Sequence, residues 1–345
     1  MKRSSGFRAC ERASLGRLPW KAWIRPGFMA CALICLPGCA RKTITSAPPP
    51  PPSHALVQRV TRARNVFLSN AGANDYFNGQ ISGAPNVIYN ELYASLRQWG
   101  YFQLVDSPDQ ADLIFQVRGT EAAPEIIMDP FGQSRGRQHQ PHLQLTILDP
   151  SKDPAQPATL DTIVTPAGRG ENIPQGKIAF AKSIEWLTYK ISTLVSTPPA
   201  RSSGLNPSTA LRPSFETLLN FQAPIPPQFL NARRVYLEAD QPRKNGGLTL
   251  APDLKDFQSA LSKWGYYHLV SSPQEADVVF HLRNDPDNGV SLTVTPPNSR
   301  VILWTIDDPR WGFTNSGAKV DRNLVSLLKQ IHHIPLSRQE MTDLR

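Results

Sequence analysis

Apolar side chains recur along the chain at two periods, and the two take turns. Asn65-Val66-Phe67-Leu68-Ser69 reads as a short strand with alternating apolar positions. Ile88, Leu92, Leu96 and Trp99 then recur at helical spacing, and Gly100 follows where a helix C-terminus favours a left-handed residue. Phe102–Val105 and Leu113–Val117 predict two further strands, with a Ser107-Pro108 turn between them. Leu143, Leu145 and Ile147 alternate as a fourth strand and Leu160–Val164 predicts a fifth. The series closes with an apolar helix over Ile178–Val195, which carries Ile184, Trp186, Leu187, Ile191 and Leu194.

The same series then repeats. Trp99 to Arg118 aligns without a gap on Trp264 to Arg283, with 11 of 20 positions identical. Upstream, Arg234-Val235-Tyr236-Leu237-Glu238 matches the first strand, and Leu254, Phe257, Leu261 and Trp264 match the helix, ending at Gly265. Downstream, Val290, Leu292 and Val294, then Val301–Ile306, then a helix carrying Val320, Leu324, Leu327, Leu328 and Ile331 complete the match. An offset of 165 residues is too long for a solenoid period of about 20–50, so the expectation is a duplicated domain. Each unit reads β-α-β-β-β-β-α. The first crossover is right-handed if its strands are parallel, and the short later links require antiparallel neighbours. The fold class expected is therefore α+β: two tandem sandwiches, each a mixed, mainly antiparallel sheet with helices on one face.

Composition sets the remaining organisation. The 345 residues include 33 prolines against 21 glycines, and 40% are hydrophobic, enough for packed cores. The net charge of +9 belongs mostly to the N-terminus. Residues 1–38 hold seven basic residues and one acid, which leaves +3 for the rest, so no nucleic-acid partner is expected. The boundaries read as a signal segment over 1–38, a tether over 39–61, a first repeat over 62–195, a linker over 196–230, a second repeat over 231–334 and a tail over 335–345. The tether holds Pro48 to Pro52, a polyproline rod of roughly 15 Å. Seven prolines mark the linker, where Leu211 to Phe221 suggests a short helix. Residues 121–140 form an insert that the second repeat lacks.

All four cysteines (Cys10, Cys31, Cys35 and Cys39) lie in the first 39 residues. Basic residues precede an apolar run, Phe28 to Leu36, that is too short for the about 20 residues of a membrane-spanning helix and fits a signal-peptide core. Leu36-Pro37-Gly38-Cys39 closes it. This sequence resembles the lipobox of bacterial lipoproteins, in which the signal is cut before the cysteine and the cysteine is lipidated. The resemblance implies that Cys39 is the lipidated residue and that Leu36, Pro37 and Gly38 are the peptidase recognition residues. It also implies a membrane partner through three acyl chains. Ala40 in place of Asp after the cysteine implies the outer membrane, facing the periplasm. Cleavage would leave Cys39 as the sole cysteine, excluding an internal disulfide and a Cys-based zinc site. In outline the repeat also resembles small α+β domains of envelope lipoproteins and of the N-terminal part of the Tol–Pal propeller protein.

Catalytic motifs are incomplete. Gly132-Gln133-Ser134-Arg135-Gly136 has the spacing of a nucleophile elbow but lacks a following helix pattern. Gly170 to Ile178 has one residue too many for a phosphate loop, and Ile178 stands where Ser or Thr is required. His139 with His142, and His332 with His333, are pairs where a zinc site wants three or four ligands. Asp112 and Asp277 follow the Ser-Pro turns and are expected to cap them, while Trp99 and Trp264 read as core anchors. Arg118, Arg135, Arg137 and Arg283 are the candidate partner contacts. The reading is a non-catalytic envelope module that binds or scaffolds another envelope protein, with no cofactor and no metal. The alternatives are an envelope hydrolase assembled from distant residues such as Ser134 and His139, and a module that binds a small ligand or lipid.

Overall fold

The computed structural model describes residues 52–73, 84–121, 125–128, 134–138, 141–166 (except 152 and 154), 173–195, 222–239, 254–285, 289–308 and 317–335. The lipobox residues Leu36, Pro37, Gly38 and Cys39, His139, and the helix suggested over Leu211 to Phe221 lie outside them.

The chain starts with α1 (His54–Arg62), capped by Ser53, whose Oγ accepts from the Leu56 amide at 3.2 Å. Residues 54–61 were expected in the tether, yet Leu56 and Val60 are buried in the core. Arg59 fixes this helix to the sheet: its Nε and Nη2 each donate to Asp149 at 2.9 Å, and Nη2 also reaches the Asp112 carbonyl. Burial pushes the Asp149 carboxyl up, but Arg59 and the Ser151 amide outweigh it and hold it at about 2.

In the first half, β1 (Asn65–Ala73), α2 (Ala84–Trp99), β2 (Gln103–Val105), β3 (Leu113–Glu121), β6 (Pro141–Asp149), β7 (Ala158–Pro166) and α3 (Ile173–Leu194) follow the expected order. The insert contains two antiparallel strands, β4 (Glu125–Met128) and β5 (Ser134–Gln138). In the second half come α4 (Pro227–Leu230), β8 (Arg234–Ala239), α5 (Leu254–Trp264), β9 (His268–Leu269), β10 (Val278–Asp285), β11 (Gly289–Thr295), β12 (Trp304–Asp308) and α6 (Gly317–Ile331). Part of the expected linker belongs to the fold: Phe229 of α4 is fully buried.

Registers correspond between the halves. Leu68 of β1 lies opposite Phe115 of β3, parallel, as Leu237 of β8 lies opposite Phe280 of β10. Val117, Leu145 and Ile163 form a row across β3, β6 and β7, and Leu282, Leu292 and Ile306 form one across β10, β11 and β12. The helices α2 and α5 end at Gly100 and Gly265, whose φ of 67° and 72° are left-handed and whose amides reach Leu96 and Leu261 carbonyls.

Two separate sheets were expected; apart from the β4–β5 pair, the strands form one. A ten-stranded mixed sheet runs β7-β6-β3-β1-β12-β11-β10-β8-β9, with β2 beside the first residues of β1. The free edge of β1 is thereby shared: Asn65 to Phe67 pair with β2, and Asn70 pairs with Trp304 of β12. Burying two edges against each other removes unpaired strand groups from solvent.

Candidate functional site

The seam between β1 and β12 is built by the end of β1. Gly72 has φ 81°, its amide donates to Asn70 Oδ1 at 3.1 Å, and the next amide, on Ala73, donates to Asp307 Oδ2 at 2.8 Å. Ser69 Oγ donates to the Ile302 carbonyl across the same seam. Above the sheet, Tyr89 of α2 meets Trp304 edge-to-face with centroids 4.8 Å apart. The Tyr89 hydroxyl donates to the Pro224 carbonyl, and Asn90 Oδ1 accepts from the Ala223 amide, so residues before α4 are stitched to α2.

A cavity of about 390 Å³ opens at this seam, walled in part by Asn86 and Asn90 of α2, Gln222, Trp304, Asp307 and Gln330 of α6. Burial pushes the Asp307 carboxyl up to about 7, against the opposing pull of the Ala73 amide and the Arg118 charge. Glu91 on α2 is also driven to about 7 by burial, and its Oε2 has no hydrogen-bond partner. Burial therefore keeps both acids protonated to higher pH than an exposed carboxyl. Amides, an indole edge and a protonatable carboxyl can hold a small polar molecule by hydrogen bonds.

A second cluster closes the far end of the second half. Trp264 stacks on Tyr266 at 5.0 Å, and Arg233 lies 3.9 Å above the other ring of that pair, Tyr266. His332 sits between two hydroxyls: Tyr266 Oη is 3.1 Å from Nδ1 and Tyr267 Oη 2.6 Å from Nε2. The Tyr266 proton is directed at the Leu230 carbonyl, 3.4 Å away. That leaves Nδ1–H to donate to Tyr266 and Nε2 to accept from Tyr267, which fits one neutral tautomer. Burial, with Arg233 and His333 nearby, lowers His332 to about 4. In the first half Trp99 stacks on Tyr101 in the same way at 5.2 Å, and the Tyr101 hydroxyl donates to the Thr61 carbonyl.

The residues singled out from sequence do not converge. Ser134 opens a strand opposite Met128, so Ser134 to Gly136 of the motif lie on a β-strand and not at the start of a helix. Arg135 and Arg137 lie on that same strand. Arg118 and Arg283 hold corresponding registers, opposite Gln144 and Ser291, but β1, β12 and β11 separate their strands. Four strand spacings put them about 19 Å apart, so they are not one binding pair. Arg283 is exposed; Arg118 is half-buried with no acceptor on Nε. Of the stretch Gly170 to Ile178, the described residues from Ile173 onward are the first residues of α3. His142 lies on β6, and His332 belongs to the tyrosine cluster. Among the described residues no three His, Cys, Asp or Glu side chains converge on a metal position.

Asp112 and Asp277 do not cap the Ser-Pro turns as expected. Ser107 and Ser272 do that, accepting from Asp109 and Gln274 amides. Each aspartate instead reaches the start of the first strand of its half: Asp112 accepts from the Arg64 and Asn65 amides, and Asp277 from those of Arg233 and Arg234, all within 3.0 Å. Gly72 and Asp307 at the seam, and Glu91 on α2, carried no sequence signal, because what makes them special is contact between segments more than 200 residues apart (Gly72 with Asp307) or the burial of a lone acid.

No helix among the described residues is long and apolar enough to cross a membrane. No family model matches the chain, and no curated protein is similar to it. Among solved structures it is similar to the PelC dodecamer from Paraburkholderia phytofirmans, at 12% identity over 40% of this chain and 89% of that one, TM-score 0.22. A minor lipoprotein from Acinetobacter baumannii is similar at 15% identity over 39% of this chain and 92% of that one, TM-score 0.21.

Proposed function

We propose that the chain is a lipid-anchored envelope protein, made of two copies of one α+β domain, that acts as a non-catalytic binding or scaffold module for another envelope component. The observation that carries the reading is what the residues common to both halves do. Asp112 and Asp277 tie down strand starts, Ser107 and Ser272 cap turns, Gly100 and Gly265 end helices, and Trp99 and Trp264 stack on tyrosines. Residues kept alike in both halves serve shape, and the seam puts a strand edge and a helix face to use as a protein contact. The matching registers support the duplication, and Leu36-Pro37-Gly38-Cys39 supports the anchor.

The test is photocrosslinking in intact cells, with the photoreactive residue scanned through 121–140 and the described surface. A defined envelope protein trapped by the native chain, and lost with Cys39→Ser, supports the reading. Uniform failure at every position removes it.

The cavity favours one second reading, a small polar ligand held between Asn90, Trp304 and Asp307. Native mass spectrometry of the chain extracted from membranes would find a bound mass that Asp307→Ala loses; a ligand-free spectrum removes this reading.

A further inference from the structure

Three large hydrophobic side chains are exposed among the described residues, and all three lie on the last strand or the closing helix of the first half: Val164 at 47%, Trp186 at 38% and Tyr189 at 60%. Val164 is on β7, which has no strand on its outer side among the described residues. Trp186 and Tyr189 lie three apart on α3, hence on one side of that helix.

The second half shows what these positions are for. Ile163 and Ile306 end corresponding rows, so Val164 corresponds to Asp307, the residue that binds the Ala73 amide across the seam. Leu187 and Ile191 of α3 and Leu324 and Leu328 of α6 are the fully buried pairs of the two closing helices. Trp186 then corresponds to Asn323 and Tyr189 to Ser326, each only 1% exposed. The same stripe of α6 continues through Leu327 and Gln330, which face Asn86 and Asn90 of α2 across the cavity. Asp307 and the Leu327–Gln330 side of α6 thus meet the first half at the seam, and the corresponding positions on β7 and α3 of the first half include the three exposed side chains. On the strand the aromatic is absent, with Asp161 at the position of Trp304; on the helix two aromatics replace two small polar residues. Aromatic anchors of this kind are enriched where interfaces concentrate their energy.

The other side of the seam has its open counterpart as well. Within the chain, α2 and the Asn70 end of β1 receive the second half. The corresponding β8 is covered by β9 only at Arg234 and Val235, and from Tyr236 to Ala239 no strand adjoins that side among the described residues.

We infer that a second copy of this chain docks on the β7–α3 face of the first half with the β8–α5 face of its own second half. The contact continues the internal seam head-to-tail, and such heterologous contacts close into rings or extend as filaments. The inference rests on the proposed duplication but not on the lipid anchor or on a foreign partner.

The test uses the chain as cells produce it, purified in detergent. Sedimentation should show self-association, and Trp186→Ala with Tyr189→Ala should weaken it at least about 30-fold, the effect of losing a single interface hot spot being of that order, with an unchanged melting temperature. Asp161 and Ala239 correspond to the seam pair Trp304 and Asn70. The chain carrying both Asp161→Cys and Ala239→Cys should therefore form disulfide-linked multimers that neither single variant forms. This second arm stands if the alanine variant fails to fold. A monomer at every concentration with an inert cysteine pair overturns the inference, as does a foreign protein crosslinked at Trp186. The latter result would leave the proposed scaffold function standing.

Discussion

Asp307 is packed so closely on Gly72 that a Cβ at position 72 would lie 2.6 Å from Asp307 Oδ2 and 2.8 Å from Thr305 Cγ2. With φ at 81°, the position also disfavours any L side chain. Gly72→Ala is expected to destabilise the fold by about 2–4 kcal/mol, combining overpacking with backbone strain. Urea denaturation checks this. A loss under about 0.5 kcal/mol, the ordinary range for a surface change, would mean that the seam is looser than described.

Asp307 and Glu91 both have folded-state values of about 7, raised from 3.8 and 4.5. A raised acid favours the fold while protonated, so its contribution is complete below the unfolded value and is lost as pH rises through about 7. Melting temperature is expected to fall between about pH 4 and pH 7, and Asp307→Asn with Glu91→Gln should flatten that limb. An unchanged slope in the double variant would contradict the assignment.

His332 gives the opposite slope. Its folded value of about 4 lies below the ordinary 6.5, so its contribution is complete above 6.5 and is lost as pH falls toward 4. His332→Phe should remove that acid-side loss while costing about 1–3 kcal/mol at neutral pH, because the Tyr267 hydroxyl loses its partner. Thermal scans of both chains across that window decide it.

Asp112→Ala and Asp277→Ala should each cost about 1–2 kcal/mol by leaving two strand-start amides without their acceptor. Hydrogen exchange should quicken at Asn65 in the first variant and at Arg234 in the second. Loss of protection confined instead to the Ser-Pro turns would restore the capping role that the sequence suggested.

The order of strands and helices was legible because each element carries its own period, as in Leu143, Leu145 and Ile147, and because a second occurrence of the series checked the first. Local contacts were legible for the same reason: Gly100 and Gly265 are specified by the helices they end. Contacts between elements were not. Arg59 in the supposed tether grips Asp149, and Asp112 reaches back 47 residues to Asn65; neither leaves a periodic trace. The seam was least legible, since joining the halves through Asn70 and Trp304 depends on which edge β1 leaves uncovered after pairing with β2.

The proposed lipid anchor at Cys39 is tested most directly by the intact mass of the chain extracted from cell membranes. The expected result is a polypeptide that begins at Cys39 and carries a diacylglycerol and an amide-linked acyl chain, with Cys39→Ser leaving the membrane fraction. A full-length chain with an unmodified Cys39 thiol would contradict the account.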